Sequence, residues 1–522
     1  MSKPLDDVTK GAEERWRALW DDAGVYRYDP AQGKAGSFVV DTPPPTVSGS
    51  LHIGHVCSYT HTDVMVRYQR MLGRNVFYPM GWDDNGLPTE RRVQNVFNVR
   101  CDPSLPYDPE LEVEFGRQGD IIAVSRPNFI ELCDRVVTED EVKFKDLFQR
   151  LGLSVDWDLT YATIDERSRY VSQYSFLKLV AAGHAELREA PTMWDVDFRS
   201  AVAQAEIEDR ERDGLFYRLR FGVEGGDGFL VATTRPELLP ACIAVTAHPD
   251  DDRYADLIGK TAVTPLFGAA VPVIADASAD PTKGTGILMV CTFGDAADVE
   301  QWRRLGVPPR EVIGSDGRIK PAPWGEGHWA SRDPDAARRI HDKLAGLTIT
   351  QARREAAELL GERGLIDGDP EAIRRPVKFY ERGERPLEFV VSRQWFVKIL
   401  DKKEALLAQG HAIAWHPPLM GRRYEDWVRG LNQDWSVSRQ RYFGVAIPVW
   451  YAVNEDGAVD HAQLLLPRKE DLPVDPSTDA PPGYDESQRG RPGGFAGDPD
   501  VLDTWATSSL TPLIPTGWPD DE

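Results

Sequence analysis

The stretch Val39-Val-Asp-Thr-Pro-Pro-Pro-Thr-Val-Ser-Gly-Ser-Leu-His-Ile-Gly-His55 sets the reading of the whole chain. An apolar strand (Phe38 to Val40) runs into a stiff proline turn, then a Gly/Ser loop, then a helix beginning near His52. Such a loop, at the carboxyl end of a parallel strand, offers an anion backbone N–H groups and the positive end of a helix dipole. His52 and His55, with Gly54 between them, share one face of the first turn and can reach the same phosphate. Three prolines fix φ and build a rigid wall beside a small ligand. A bare His-x-x-His would read as surface residues on a tight turn. Thirteen residues in this order do not.

Working outward, the helix to Leu72 is stopped by Gly73, and a strand from Asn75 to Tyr78 completes a right-handed β-α-β unit. Gly81-Trp-Asp-Asp-Asn-Gly-Leu-Pro-Thr-Glu90 again follows a strand, where a doubly wound sheet holds its ligands. Residues 1–36 read as an amphipathic helix carrying Trp16, Leu19 and Trp20, followed by a linker, and 101–137 as an irregular insertion. Thr138-x-x-Glu141 and Thr163-x-x-Glu166 read as capping boxes that open two helices. From about residue 190 the texture changes to short strands with Gly-rich turns, and the first fold returns near Pro386. Residues 467–500, with seven prolines and five glycines, read as a loop.

A chain of 522 residues predicts two or three domains, and 41% hydrophobic with 28% charged residues is enough for ordinary cores. No stretch approaches the ~18 apolar residues of a membrane span, and Met1 to Lys10 is too polar for a signal peptide. Five well-separated cysteines without Cys-x-x-Cys point to a reducing, cytoplasmic setting and away from a zinc ribbon. The net charge of −23 disfavours a general nucleic-acid binder but leaves room for a local basic patch. A dinucleotide oxidoreductase is disfavoured too, because Pro43 to Pro45 stand where Gly-x-Gly-x-x-Gly would need backbone freedom.

Pro43-Pro-Pro-x-Val-x-Gly-Ser-Leu-His-Ile-Gly-His55 resembles the ATP-binding signature of class I aminoacyl-tRNA synthetases, in the form the valine enzymes carry. Ser392-Arg-Gln-Trp-Phe396, Asp434 to Gly444 and Val501-Leu-Asp-Thr-Trp505 resemble the later parts of the same catalytic domain. The resemblance implies an α/β fold: a Rossmann-like, doubly wound parallel sheet over 1–190 and 391–522, interrupted by a mixed, β-rich editing domain over 191–390. It implies ATP with Mg2+ as the substrate complex, valine and a valine-type tRNA as partners, and neither structural zinc nor membrane. By the same resemblance His52, Gly54 and His55 serve ATP, and Asp83 holds the substrate's α-ammonium. Pro44, Thr46, Trp395 and Tyr442 surround the amino acid.

Ala232-Thr-Thr-Arg-Pro-Glu237 and Gly284-Thr-Gly-Ile with Asp295-x-x-Asp298 resemble the editing site, with Thr233 and Arg235 on the tRNA's terminal adenosine and Asp295 and Asp298 on the amino group. Editing has a physical motive. An apolar pocket rejects an isostere bearing an added hydroxyl only roughly 10²-fold, a figure that belongs to the valine enzymes themselves rather than to any residue of this chain. Leu238, Cys242, Met289, Cys291 and Tyr442 depart from the family's usual residues. Two alternatives stay open: an isoleucine- or leucine-type synthetase, from the Gly-Trp-Asp and Arg-Tyr-Phe-Gly wording, and a free-standing editing hydrolase or tRNA-binding module. Nothing in 1–522 resembles the family's lysine-rich second ATP element or its anticodon-binding domain, which a longer product or a partner chain is expected to supply.

Overall fold

The computed structural model describes residues 11–47, 51–381 and 383–520. Ser48 to Ser50 of the opening stretch and the polar run Met1 to Lys10 lie outside the described residues. The chain forms two compact units, residues 1–186 with 395–522, and residues 187–394.

In the first unit, Ser37–Val39 pairs in parallel with Asn75–Phe77, with the Ile53–Met71 helix as the crossover. Gly81–Trp82 pairs in parallel with Tyr161–Ala162. Between these pairs Thr46 and Asp83 form a parallel bridge: the Asp83 N–H donates to Pro45 O at 3.0 Å, and the Val47 N–H to Asp83 O at 3.1 Å. The proline turn is thereby locked to the strand that ends in Asp83. Val47, Val66, Val76, Tyr78, Trp82, Phe144 and Phe148 form the core beneath, an α/β arrangement in which short parallel strands are buried by helices.

Two helix starts differ from the sequence reading. A single 25-residue helix, Arg126–Arg150, runs through Thr138. Its cap is Ser125, whose Oγ accepts from the Asn128 N–H at 3.3 Å, with Pro127 in the first turn. The apolar stripe is continuous across Thr138, with Phe129, Leu132, Val136 and Val137 buried on one side and Phe144 and Phe148 on the other. Thr138 therefore turns its hydroxyl back to Asp134 O at 2.7 Å. The Glu166–Ala181 helix is capped by Asp165, which frees Thr163 for the site described below. Trp16 and Leu19, on the Ala12–Asp22 helix, remain exposed. The 467–500 loop ends in a strand, Phe495–Gly497, paired with Trp450–Val453.

The second unit is built on a seven-stranded sheet. Its longest strand, Ile207–Val223, has 17 residues rather than the short length expected, because its two halves have different partners. Residues up to Phe216 pair with Glu371–Tyr380, while those from Tyr217 pair with Gly226–Thr233. Cys242–Ala247 lies between Ala270–Ala275 and Ile287–Cys291. Leu219, Phe221, Val245, Val271, Leu344 and Leu360 belong to the core that joins this sheet to the Pro334–Leu344 and Ile349–Glu362 helices.

Candidate functional site

His52 is the N-cap of the Ile53–Met71 helix. Its Nδ1 accepts the Gly54 N–H at 3.1 Å, and the His55 Nδ1 accepts the His52 N–H at 3.3 Å. This reciprocal cap stacks the two rings at 4.0 Å between centroids. It also fixes their tautomer. A neutral ring that accepts at Nδ1 carries its proton on Nε2, so each histidine is a donor there, at the positive end of a helix. Burial, and then the neighbouring His52, lower the His55 pKa and favour that neutral form. A Cβ on Gly54 would lie 2.9 Å from the His52 ring, so the ring would have to shift to admit one. His55 also meets Phe144 edge-on, and Phe144 meets Trp82, so packing links the histidines to the strand that ends in Asp83.

The loop after that strand is fastened to segments far away in the chain. Thr163 Oγ1 donates to Asp83 Oδ1 at 3.2 Å and accepts the Asp84 N–H at the same distance. Asn85 donates to Thr507 Oγ1 at 3.1 Å. The Gly86 N–H donates to Phe443 O at 3.3 Å. Glu90, buried at the start of the Leu87–Phe97 helix, accepts the N–H groups of Tyr442 and Phe443 at 2.7 and 3.0 Å, with Arg441 3.6 Å away. The runs around 83–90, 441–443 and 504–507 are therefore one assembly, and Asp83, a buried carboxylate, stands at the start of its first run.

Thr46 reaches Asp83 through the backbone bridge, and Pro44 is buried just before it. Trp395 is buried in a different setting: its indole N–H donates to Asp498 at 2.9 Å and its ring meets Phe176 edge-on. Tyr442 meets Phe129 edge-on and packs with the Val93–Phe97 cluster. Asn85 and Glu90 are fasteners that the sequence reading did not single out, and Thr163 is one that it read as a helix cap. Asn85 and Glu90 lie in the same Gly-Trp-Asp run, where a polar residue due to be buried was the available signal.

In the second unit, Thr233 Oγ1 accepts the Arg235 N–H at 3.0 Å. The Arg235 guanidinium donates to Glu237 at 3.0 Å, to Glu388 at 2.7 Å and to Gly294 O at 3.1 Å. The last bond ties the Thr-Thr-Arg-Pro-Glu segment to the one that carries Asp295 and Asp298. Arg353 makes two further bonds to the fully buried Glu237. Burial alone would lower the Arg235 pKa, but Glu388 and Glu237 reverse this and raise it. Glu388 had no motif to announce it.

Asp295 caps the Ala296–Leu305 helix through the Asp298 N–H. The Asp298 carboxylate accepts from the N–H groups of Cys291 and Gly294 at 3.2 and 3.0 Å. Burial, and then the charge of Asp295, push its pKa up to about 8. A Cβ on Gly294 would overlap the Asp298 carboxylate, so only glycine lets that carboxylate approach. Three of the departing residues gather here: Cys242 and Cys291 face each other across paired strands, and the Cys291 thiol lies 3.4 Å from Leu238 O. Among the described residues no group of three or more His, Cys, Asp or Glu could hold a metal ion, and no helix is long and apolar enough to cross a membrane.

A family model described as tRNA synthetases class I (I, L, M and V) matches residues 15–522. The valine–tRNA ligase of Thermobifida fusca is 56% identical over 516 residues, covering 98% of this chain and 58% of that protein. Those of Salinispora tropica and Cutibacterium acnes are 54% and 51% identical, each covering 99% of this chain and 60% of the relative. The chain thus spans about three fifths of the length of these curated relatives. A solved LeuRS–tRNA–LeuAMS ternary complex from Agrobacterium radiobacter K84 aligns over 97% of this chain and 59% of that one. Its TM-score is 0.44 and its identity 19%, too slight a likeness to weigh on the fold.

Proposed function

Because the chain belongs to the class I tRNA synthetases of the isoleucine, leucine, methionine and valine group, we propose that it carries the amino-acid-activating and editing parts of a valine–tRNA ligase. The observation that carries this reading is the reciprocal histidine cap, which leaves two Nε2–H donors at a helix N-terminus. Identity above one half to a valine–tRNA ligase, along nearly the whole chain, favours valine over isoleucine or leucine.

In this reading Mg-ATP is a substrate complex. The valine carboxylate attacks the α-phosphorus in line, an oxygen–phosphorus bond forms, and pyrophosphate leaves with its bonding pair. No side chain acts as a covalent nucleophile, and the protein contributes position and charge. His52 and His55 donate to the phosphates, beside the backbone at Gly54. Asp83 holds the α-ammonium, with Thr46 beside it. Pro44, Trp395 and Tyr442 are assigned to the side-chain pocket. The acyl group then passes to the terminal ribose of a valine-type tRNA.

We assign residues 1–190 and 391–522 to this chemistry and 191–390 to hydrolytic editing, with threonine as the expected error. Asp295 and Asp298 would take the misplaced amino group, and Thr233 and Arg235 the terminal adenosine. Three of Arg235's five N–H donors already hold neighbouring segments, so its part in editing is chiefly to keep the walls in register. The remaining portion of the protein, or a partner chain, would supply the second ATP element, and the cytoplasm is the compartment this reading implies.

The test is ATP–pyrophosphate exchange by the 522-residue chain with valine, isoleucine, leucine and threonine offered separately. Exchange greatest with valine is expected. Exchange with none of the four would overturn amino-acid activation by this chain, and deacylation of mischarged tRNA in its absence would favour an editing module.

A further inference from the structure

Asp84 has no exposed surface, and neither of its carboxylate oxygens meets a hydrogen-bond donor among the described residues. Its backbone is held on both sides: its N–H donates to Thr163 Oγ1 at 3.2 Å, and its carbonyl accepts the Thr89 hydroxyl at 2.7 Å. The group facing its carboxyl is another carboxyl, that of Glu141 on the Arg126–Arg150 helix. Asp83 adds negative charge from the same loop, and Asp165 from the cap of the Glu166–Ala181 helix, while Lys145 faces Glu141. Asp165 is itself held by the N–H groups of Ala162 and Ser168 at 3.0 and 2.7 Å. Two ionised carboxylates facing each other without a donor would cost several kcal/mol. One proton between them removes most of that cost.

We propose that Asp84 and Glu141 hold one proton between them, and that an ammonium group arriving at Asp83 drives that proton out. The second half rests on the reading of Asp83 as the ammonium site. Asp84 adjoins Asp83 in the chain, and the Thr163 hydroxyl touches both residues, so a positive charge at Asp83 acts on the pair at short range in a dry setting. The O–H bond of the shared acid breaks, its electron pair stays on oxygen, and the proton passes to solvent through Glu141, the half-buried member. Loss of the amine reverses the step, and nothing is oxidised. Burial, and then Glu141, hold the Asp84 carboxyl well above the ordinary carboxylate range, as a stored proton requires. Asp84 and Glu141 are positioning residues here: they set the charge around the ammonium without touching it.

Two measurements on the 522-residue chain test this. In the first, calorimetric titrations at pH 7.5 with valine, valinol and isovalerate are run in two buffers of different ionisation enthalpy. Valine and valinol, which carry the ammonium, release roughly half to one proton per molecule bound; isovalerate releases none, and Asp84→Asn abolishes the release. Binding of valine without proton release, or equal release by Asp84→Asn, overturns the linkage. The second is Tm against pH from 5 to 9. A carboxyl with a raised folded pKa makes stability fall as pH rises, and Asp84→Asn flattens that fall, since its amide can donate to an ionised Glu141. An unchanged slope overturns the shared proton. A chain that binds neither amine overturns the reading of Asp83, and the linkage with it, while the slope still judges the pair.

Discussion

His52, His55 and Glu90 are oriented by backbone groups, whereas Arg235, Glu237, Glu388 and Arg353 neutralise one another. His52 and His55 spend their Nδ1 atoms on backbone N–H groups and present Nε2, and Glu90 spends itself on two backbone N–H groups of a distant loop. Arg235, Glu237 and Glu388 instead form a buried ion network, which the partly exposed Arg353 joins through Glu237. Arginine and glutamate beside a ligand-like motif suggest recognition, yet only the geometry separates a charge offered to a ligand from one committed to the fold. Buried ion networks hold geometry while adding little net stability, and they fail badly when one member is removed.

That contrast can be broken by mutation. Glu237→Ala leaves the buried Arg235 with Glu388 as its sole paired carboxylate among the described residues and should lower the unfolding free energy by about 3 kcal/mol in urea titrations followed by tryptophan fluorescence. A loss below about 1 kcal/mol would mean that the network does not hold the unit together. Asp83→Asn should instead act on ligand binding. Losing a charged hydrogen-bond partner of about 1.5–3 kcal/mol weakens valine roughly ten- to hundred-fold, measured by calorimetry. Gly54→Ala, with its Cβ 2.9 Å from the His52 ring, displaces the cap. About 1 kcal/mol of helix stability should be lost, together with weaker ATP binding in equilibrium dialysis.

The remaining effects are those of pH. The folded pKa of Asp298 is about 8, above its unfolded value, so its contribution to stability is present at low pH. It is lost as pH rises from the ordinary carboxylate range through about 8, and Asp298→Asn should remove that part of the Tm–pH slope. His55 has the opposite sense. Its folded pKa is lowered, so its contribution is present above the ordinary histidine value and is lost as pH falls below it. ATP binding should weaken over the same range, because protonation at Nδ1 ends the reciprocal cap.

Much of this was legible in the residues. The β-α-β unit, the helix beginning at the histidines and the loop after Trp82 follow from local pattern, since each is decided within a few residues of its signal. The long Arg126–Arg150 helix was not, because Thr138-x-x-Glu141 has the form of a cap and only burial of the residues on both sides keeps the helix going. Likewise the doubled partners of Ile207–Val223 arise from pairings far apart in sequence. Glu388, and the joining of Glu90 to Tyr442 and Phe443, are contacts across more than 150 residues, which no local pattern encodes. The tautomer of the two histidines needed the backbone geometry itself.

The most direct measurement is a calorimetric titration of the 522-residue chain with the non-hydrolysable sulfamoyl analogue of valyl-adenylate, beside its leucyl and isoleucyl counterparts. The account predicts saturable binding, tightest for the valyl compound. That binding should be weakened by His52→Ala, His55→Ala and Asp83→Asn but left intact by Arg235→Lys, which keeps the charge of a residue committed to the other unit. Binding that ignores the first three substitutions, or is lost with Arg235→Lys, would contradict it.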